Sequence, residues 1–413
     1  MIMKKLSYTT ILAAACLLLP GCSDDAADKG LVSPDVLVAD SEVEIKLSSN
    51  SSSMATRAGV YNGQTFSTPT SCVLDGRTIA IPKLALFCLA TGKQDNATGA
   101  TDIDWTKAKG TYNDVKLYND PAKVWDGEIS LDATEYYPVS NWYTYSFYGY
   151  YTKQGNESIV VPTPTSNRID VNVAITGYND IIWGESNVPA NVPEGISKYA
   201  YSAKYYRECV KGGVETTPAQ MTFQHMLTSF EFKVTPKDVN AQGVKITSIK
   251  LKNQLSSGTL CVASLGDGDG AGKIVTNEDV SKVDFTLYDP SVKKDDGAKT
   301  LVETLSPATF TITEDMAIGE AITLGGESDP AAFYVMPDQE KYTVEVVMSK
   351  NGKTFTAEMD IPLGDGTNST VNPGAGKKGI ITLAIYGPQE ISLQATLTPW
   401  EEVELPELPE FEL

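Results

Sequence analysis

Hydrophobic and charged residues alternate in one short stretch near the start of the chain. Val43, Ile45 and Leu47 are separated by single charged residues, and this period of two is typical of a strand with one buried face. Residues 48–53 are serines and an asparagine, which have no apolar surface to bury and predict an accessible loop. Arg57 follows among small residues. The order predicts one strand, one loop and one basic cleavage site.

The same period of two recurs along the chain. Tyr342–Asp360 predicts a hairpin, because Asn351 and Gly352 at its tip suit the positive φ angles of a type I′ turn. Other alternating segments lie at 168–176, 221–234, 245–251 and 381–385, and in the row Ile391, Leu393, Ala395 and Leu397. Tyr201–Val210 predicts one short helix. Short strands separated by turn signals predict an all-β fold with two β-sandwich domains.

The segment Asn141–Tyr151 is dense in aromatic residues. Such a row forms a sugar-binding platform when it is exposed and the core of a sheet when it is buried. We favour the core, because aromatic strands are more often buried. In the alternative, Trp142 and Tyr143 would contribute to sugar binding.

Residues 1–21 have the organisation of a secretory signal. An apolar run from Ile11 to Leu19 is too short to span a bilayer. Leu19-Pro20-Gly21-Cys22 resembles the lipobox of bacterial lipoproteins, whose cysteine becomes the lipidated first residue. Ser23-Asp24-Asp25 resembles acidic tags that direct some lipoproteins to the cell surface. A simple secretory signal with a chance cysteine is the alternative.

Net charge argues against a nucleic-acid partner. The chain has 33 Lys and Arg residues against 53 Asp and Glu residues, a formal charge of −20. Binding to DNA or RNA requires clustered cations that displace counterions. The acidic balance is typical of a soluble, self-repelling protein outside the cytoplasm.

Four cysteines remain after the predicted signal and the lipidated Cys22, and these are Cys72, Cys88, Cys209 and Cys261. An exported chain permits disulfides. The spacing contains no zinc pattern. The sequence is compatible both with disulfide bridges between these cysteines and with buried free thiols.

Candidate chemistry is sparse. His225 is the single histidine, and no nucleophile elbow or HExxH motif accompanies it, so we favour a structural role. Asp267 and Asp269 lie in a GDGDGAG stretch, but Ala271 occupies the third ligand position of a calcium loop and no glutamate follows at the required distance. The sequence predicts no enzyme, no cofactor and no metal.

Taken in order, these features resemble the fimbrillins of the type V pili of Gram-negative anaerobes. The resemblance begins with the signal, Cys22, the first strand, the serine-rich loop and Arg57. It continues through the aromatic strand ending at Tyr151 and the segment Phe223–Val234. It ends with the strands Ile381–Ile385 and Ile391 to Trp400.

The resemblance implies two tandem transthyretin-like β-sandwich domains and assembly by strand exchange. It implies a signal at 1–21, a lipidated propeptide at 22–57 and domains at 58–215 and 216–413. An Arg-specific surface protease would cut between Arg57 and Ala58, releasing the lipid anchor together with the strand of Val43, Ile45 and Leu47. A strand from another pilus subunit would then fill the vacated groove. The expected donor residues are Ile391, Leu393, Ala395 and Leu397, with an extension through Val403 and Leu405 as an open alternative.

Location and partners follow from the same resemblance. The protein is expected at the outer membrane and cell surface, attached by lipid before cleavage and incorporated in a fimbrium afterwards. Two rival functions remain: a pilus tip or accessory adhesin, and an anchored glycan-binding lipoprotein that does not polymerise.

Overall fold

The structure, a computed structural model, describes the chain from residue 42 onward with gaps. The described residues are 42–50, 71–74, 77–80, 83–94, 102–107, 111–119, 126–131, 134–138, 142–152, 162, 164–196, 200–266, 270–276, 280–289, 294–295, 301–302, 306–326, 330–362 and 374–399. Within these ranges, no helix has the length and apolar character needed to cross a membrane.

Strands dominate the described residues. The first twelve are β1 (Leu47–Asn50), β2 (Ser71–Leu74), β3 (Arg77–Ala80), β4 (Lys83–Lys93), β5 (Thr111–Asn119), β6 (Asp126–Ser130), β7 (Tyr143–Thr152), β8 (Arg168–Ala174), β9 (Ile181–Ser186), β10 (Ala219–His225), β11 (Thr228–Pro236) and β12 (Lys245–Leu255). The others are β13 (Ser257–Ser264), β14 (Lys273–Val275), β15 (Lys282–Thr286), β16 (Lys294–Asp295), β17 (Leu301–Val302), β18 (Phe310–Thr311), β19 (Ile322–Thr323), β20 (Ala332–Val335), β21 (Thr343–Lys350), β22 (Lys353–Asp360), β23 (Lys377–Gly387) and β24 (Glu390–Pro399). Helix α1 spans Ala203–Lys211, and single 3₁₀ turns lie at Trp105–Lys107 and Val239–Ala241. The all-β prediction is confirmed.

The N-terminal strands form a closed barrel in the order β1-β10-β9-β7-β4-β5-β6. Closure occurs at β1, which lies between β10 and β6. The barrel therefore has no free edge while β1 is in place. Strand β10 begins after residue 215, so the barrel includes a strand from the segment predicted to be C-terminal. The division into 58–215 and 216–413 stays a prediction.

The C-terminal strands form two sheets around one core. One sheet has the order β19-β11-β23-β24, with β20 also paired to β11, and the other has the order β15-β12-β21-β22, with β18 also paired to β12. Phe230 from the first sheet meets Tyr342, which precedes β21 of the second, with ring centroids 4.8 Å apart. Inward residues of both sheets belong to one hydrophobic cluster. This is the arrangement of a β-sandwich.

A third sheet connects the two halves of the chain. Strand β8 pairs with β13, and β13 pairs with β14. Trp183 of β9 donates its indole N–H to the carbonyl oxygen of Val262, 2.8 Å away. Gly272 has φ +71°, and a Cβ there would lie 2.6 Å from the Trp183 ring. The third sheet therefore pairs strands from the two halves of the chain and packs against Trp183 of the barrel.

Three local predictions are confirmed. The 343–360 hairpin turns at Asn351 and Gly352, both with positive φ. Helix α1 covers most of the predicted stretch, beginning two residues later and ending one residue later, and it is capped by Ser202, whose side chain accepts from the Tyr205 amide. The aromatic strand β7 is buried on both faces. Its buried residues divide between two core clusters, with Tyr145, Phe147 and Tyr151 in one and Tyr148 and Tyr150 in the other.

One expectation about the start of the chain is wrong. We expected the serine run to be a loop from residue 48, but Ser48, Ser49 and Asn50 belong to β1. Backbone hydrogen bonding does not depend on side-chain hydrophobicity, so two flanking strands hold this segment extended. Residues 51–53 lie outside the described residues.

Candidate functional site: the seat of the first strand

Residues 43–48 form an inward and an outward face, as the alternation predicts. Ile45 and Leu47 are 4% and 2% exposed, and Val43 packs at the margin of the same core. Glu44 and Lys46 point to solvent and form a 3.6 Å ion pair. Such an exposed pair adds little stability. Each buried aliphatic side chain contributes about 1.5–3 kcal/mol, so the strand is held in place mainly by its inward face.

On one side, residues 43–50 run antiparallel to residues 126–130 and 135–137. Leu47 is paired with Ile129 in β6. The amide of Ile45 donates to the carbonyl oxygen of Glu135 at 2.8 Å, and the amide of Tyr137 donates to that of Val43 at 2.9 Å. This edge of the first strand is therefore bonded along its length.

On the other side, the strand runs parallel to β10. Leu47 is paired with Ala219 and Ser49 with Met221. The Ala219 amide donates to the Lys46 carbonyl oxygen at 3.1 Å. The segment thus has strand neighbours on both edges, and its loss would leave two unpaired edges facing each other.

The side chains packed beneath the first strand, here called the floor, are mostly aromatic. Tyr137 makes an edge contact with Phe147, with ring centroids 6.0 Å apart, and a tilted contact with Tyr206 at 5.4 Å. Tyr201 stacks on Tyr206 at 6.2 Å. Helix α1 supplies Tyr205 and Tyr206, and its cap Ser202 also accepts a 2.6 Å hydrogen bond from Gln94. The helix therefore holds one wall of the floor beneath Ile45 and Leu47.

Two free thiols lie in the same core. Cys88 and Cys209 are buried in the cluster that contains Ile45 and Leu47. Burial, and secondarily the Glu135 carboxylate, raise the pKa of the Cys88 thiol well above its ordinary value. Cys261 is a third buried free thiol and belongs to the connecting sheet. Cys72 lies in β2, where only the backbone is described.

The predicted donor residues lie in a different part of the molecule. Strand β24 is at the end of its sheet and pairs with β23 from Lys377↔Pro399 to Gly387↔Glu390. Ile391, Leu393 and Ala395 are half-buried against the core of the sandwich. Leu397 is paired with Gly379. The structure thus places the two predicted strands on separate cores.

The predicted processing residues lie outside the described residues. These are Cys22, Arg57 and Ala58, and the lipidation and cleavage assigned to them stay predictions. The Asp267 and Asp269 carboxylates of the calcium-like stretch also lie outside. In the part of the chain that is described, no group of three or more His, Cys, Asp or Glu side chains is placed to hold a metal ion.

His225 has a structural setting. Its Nδ1 lies 2.5 Å from Oδ2 of Asp180, and both side chains are buried. The other carboxylate oxygen of Asp180 accepts from the Ile181 amide at 2.8 Å. The pair lies where β10 ends and the chain passes into the sandwich. It ties the start of β9 to the end of β10.

Sequence reasoning missed the residues that surround the first strand. Ala219 and Met221 of β10 form one flank, and Ile129 of β6 forms the other. Met221 does alternate with Phe223, a detectable strand signal, but alternation does not identify a strand's neighbours. Most aromatic residues after Tyr143 in β7 are buried, whereas Trp142 and Tyr143, the residues named in the glycan-binding alternative, are half-buried. That alternative stays a prediction.

The chain is similar to several solved structures from Bacteroides and Porphyromonas. No curated protein sequence matches the chain. Among solved structures, a candidate cell adhesion protein from Bacteroides uniformis has 12% identity and a TM-score of 0.45, covering 88% of this chain and 99% of that one. A second, from Bacteroides ovatus, has 11% identity and a TM-score of 0.43, covering 88% and 100%. The fimbrial anchor protein of Porphyromonas gingivalis has 10% identity and a TM-score of 0.29, covering 87% and 98%.

The family assignment comes from the sequence. The model of the fimbrillin-like family matches residues 80–400, most of the chain. This match supports a pilus-related role at the cell surface. The chain belongs to the fimbrillin-like family.

Proposed function

We propose that this protein is a structural subunit of a cell-surface pilus that matures by losing its first strand. It is exported as a lipoprotein attached through Cys22 at the outer membrane, cleaved after Arg57 and polymerised by strand exchange. The observation that carries the proposal is the position of β1. This strand closes the barrel, and its only covalent connection to the other barrel strands is the stretch of chain that contains Arg57.

Chain order gives cleavage at this point a specific consequence. The other six strands of the barrel all follow residue 58. A cut between Arg57 and Ala58 therefore leaves β1 attached by non-covalent contacts alone. Its departure would expose the edges of β6 and β10 and the apolar floor between them. An open, hydrophobic sheet edge is a template for a strand from another chain.

The distribution of arginines supports the choice of cleavage site. The chain has four arginines. Arg77 lies in β3, Arg168 in β8 and Arg207 in α1. Proteases act on segments that can adopt an extended, accessible conformation, and paired strands and helices must first open locally. An Arg-specific surface protease would therefore be directed to Arg57.

The incoming strand comes from the C-terminal end of another subunit. The residues Ile391, Leu393, Ala395 and Leu397 in β24 are one candidate, and the tail after Pro399 is the other. Each large aliphatic side chain that is buried would contribute about 1.5–3 kcal/mol, and each new ladder hydrogen bond about 1 kcal/mol. Such a joint is head-to-tail and does not close on itself, so it extends into a filament.

The N-terminus of the protein on its native cells tests the proposal. Mass spectrometry of surface material should find a chain that begins at Ala58, whereas Arg57→Ala should yield a chain that still carries lipidated Cys22 and forms no polymer. Arg168→Ala is the matched control, because it removes an exposed ion pair with Asp170 and should leave processing unchanged. A lipidated Cys22 start in protein exposed to the matching protease would overturn the proposal.

A further inference from the structure

A row of four paired residues crosses the inner face of the barrel. Leu86 pairs with Gly149, Gly149 pairs with Gly184, and Gly184 pairs with Phe223. Leu86 and Phe223 belong to the core cluster that also contains the inward residues of the first strand. The row passes through β4, β7, β9 and β10, which all follow Arg57 in the chain. It therefore belongs to the part of the barrel that remains after cleavage.

The two central glycines make room for large side chains from neighbouring strands. A Cβ at Gly184 would lie 2.4 Å from Cδ1 of Phe223, so this ring lies directly on the glycine. A Cβ at Gly149 would lie 3.2 Å from Cδ1 of Leu86 and 3.5 Å from Cε of Met221. Leu86, Met221 and Phe223 are almost fully buried. These three side chains, here called the stop, fill the interior of the barrel at this level.

The stop lies just beyond Leu47 along the first strand. Leu47 pairs with Ala219 of β10, and two residues further on Ser49 pairs with Met221 of the stop. Position 49 is also the first member of the alternation that is not a large aliphatic residue. The size of the residues in the strand and the packing of the barrel therefore change at the same point.

We infer that the stop ends the groove and selects the strand that the groove accepts. The inference rests on the proposed strand exchange. The accepted strand has large aliphatic residues in the places of Val43, Ile45 and Leu47 and a small residue opposite Met221. A large side chain opposite Met221 would enter space that the stop already fills, and overpacking of this kind is destabilising.

The stop also fixes the register of the bound strand. Side chains in a strand alternate with a period of two, so alternation alone does not exclude a shift of two residues. A shift in one direction would place Leu47 opposite Met221, against the stop. A shift in the other direction would place Ser49 opposite Ala219 and leave a cavity where the Leu47 side chain lies. Both shifts are unfavourable, so one register is selected.

The first experiment measures the coupling between position 49 and the stop in the intact chain. Ser49→Leu should lower the midpoint of urea unfolding, because the new side chain meets the stop. Ser48→Leu is the matched control, since Ser48 pairs with the exposed Gln220 on the other face, and it should leave the midpoint unchanged.

A second substitution in the stop separates this coupling from ordinary packing. Met221→Ala should lower the unfolding midpoint by itself, because it empties part of the core. Adding Ser49→Leu to Met221→Ala should raise the midpoint again, since the leucine then fills the vacated space. The inference would be overturned by a Ser49→Leu chain as stable as the wild type, or by a double variant less stable than Met221→Ala alone.

The second experiment measures selection by the open groove. The full chain is cleaved with an Arg-specific protease, the released segment is removed, and binding of a fluorescent peptide of residues 42–50 is followed by anisotropy. Ser49→Leu in the peptide should weaken binding about tenfold, the effect expected of overpacking one position. With Met221→Ala in the chain, the two peptides should bind within about threefold of each other.

The outcomes of the binding experiment separate the inference from the proposed function. Equal binding of the two peptides to the cleaved wild-type chain would overturn the inference and leave strand exchange intact. Failure of both peptides to bind the cleaved chain would overturn strand exchange itself. Weaker binding of the Ser49→Leu peptide that Met221→Ala does not correct would show that the stop is not what selects the strand.

Discussion

The first and last described strands carry the same pattern in different surroundings. Val43, Ile45 and Leu47 alternate with polar residues, and so do Ile391, Leu393 and Ala395. The first set lies in a segment with strand neighbours on both edges, and Ile45 and Leu47 are almost fully buried. The second set lies in a strand at the end of an open sheet and is half-buried.

The alternation of residues shows which face of a strand is buried. The position of the strand in its sheet decides how much that buried face contributes to stability. Strand β1 covers an aromatic floor and closes a barrel, so its removal affects two edges and one core. Strand β24 covers the margin of a sandwich and is bonded on one edge. Loss of the first strand would leave two unpaired edges and an uncovered core, whereas loss of β24 would leave one unpaired edge.

The largest expected contrast comes from placing a charge on each inward face. Leu47→Asp should destabilise the intact chain by more than about 3 kcal/mol, because a carboxylate would lie in the barrel core without a partner. Leu393→Asp should lower the free energy of unfolding by about 1 kcal/mol, because water can reach the aspartate at the edge of the sandwich sheet. Urea unfolding followed by circular dichroism measures both. Equal midpoints would contradict the assigned difference between the strands.

Truncation of one isoleucine in each strand gives a smaller contrast. Ile45→Ala should cost about 2–5 kcal/mol, the range for a fully buried aliphatic residue, because the floor below it cannot collapse freely. Ile391→Ala should cost less than half as much, because part of its side chain already contacts water. Thermal unfolding curves of the two variants, each measured beside the wild type, give the two losses of stability. A larger loss for Ile391→Ala would reverse the ranking of the two strands.

Local pattern predicted the elements of this fold well. Helix α1 with its Ser202 cap and the Asn351–Gly352 hairpin follow from residues adjacent in sequence. The burial of β7 also followed from its composition. In each of these cases, the deciding interactions are local or depend on hydrophobicity alone.

Long-range pairing could not be predicted in the same way. Ser48 and Ser49 extend β1 because Gln220 and Met221 lie opposite them, and nothing in a serine run indicates such partners. The pairing of β8 with β13 is also long-range, although its partners are closer together in the chain. The residues of the seat, Ala219 and Ile129 among them, were therefore missed although Val43, Ile45 and Leu47 were identified.

Two buried thiols offer the least perturbing comparison, because alkylation needs no substitution. Cys88 lies in the core cluster that contains Ile45 and Leu47, and burial raises the pKa of its thiol far above the ordinary value. Burial raises the pKa of Cys261, in the connecting sheet, to about 11. Only the thiolate reacts with iodoacetamide, so at pH 8 both cysteines of the intact chain should react slowly.

Cleavage after Arg57 should make the alkylation rates of these two thiols differ. Once β1 leaves, water reaches the residues beneath it, and the pKa of the Cys88 thiol falls towards its ordinary value. Its thiolate fraction at pH 8 then rises. We therefore expect Cys88 to be alkylated at least tenfold faster. Cys261 touches neither edge of the groove and should keep its slow rate. Peptide mass mapping of a time course gives both rates in one sample. Acceleration of both thiols would indicate that loss of β1 unfolds the molecule, whereas acceleration of Cys88 alone would indicate an open groove on an intact scaffold, the state that an incoming strand requires.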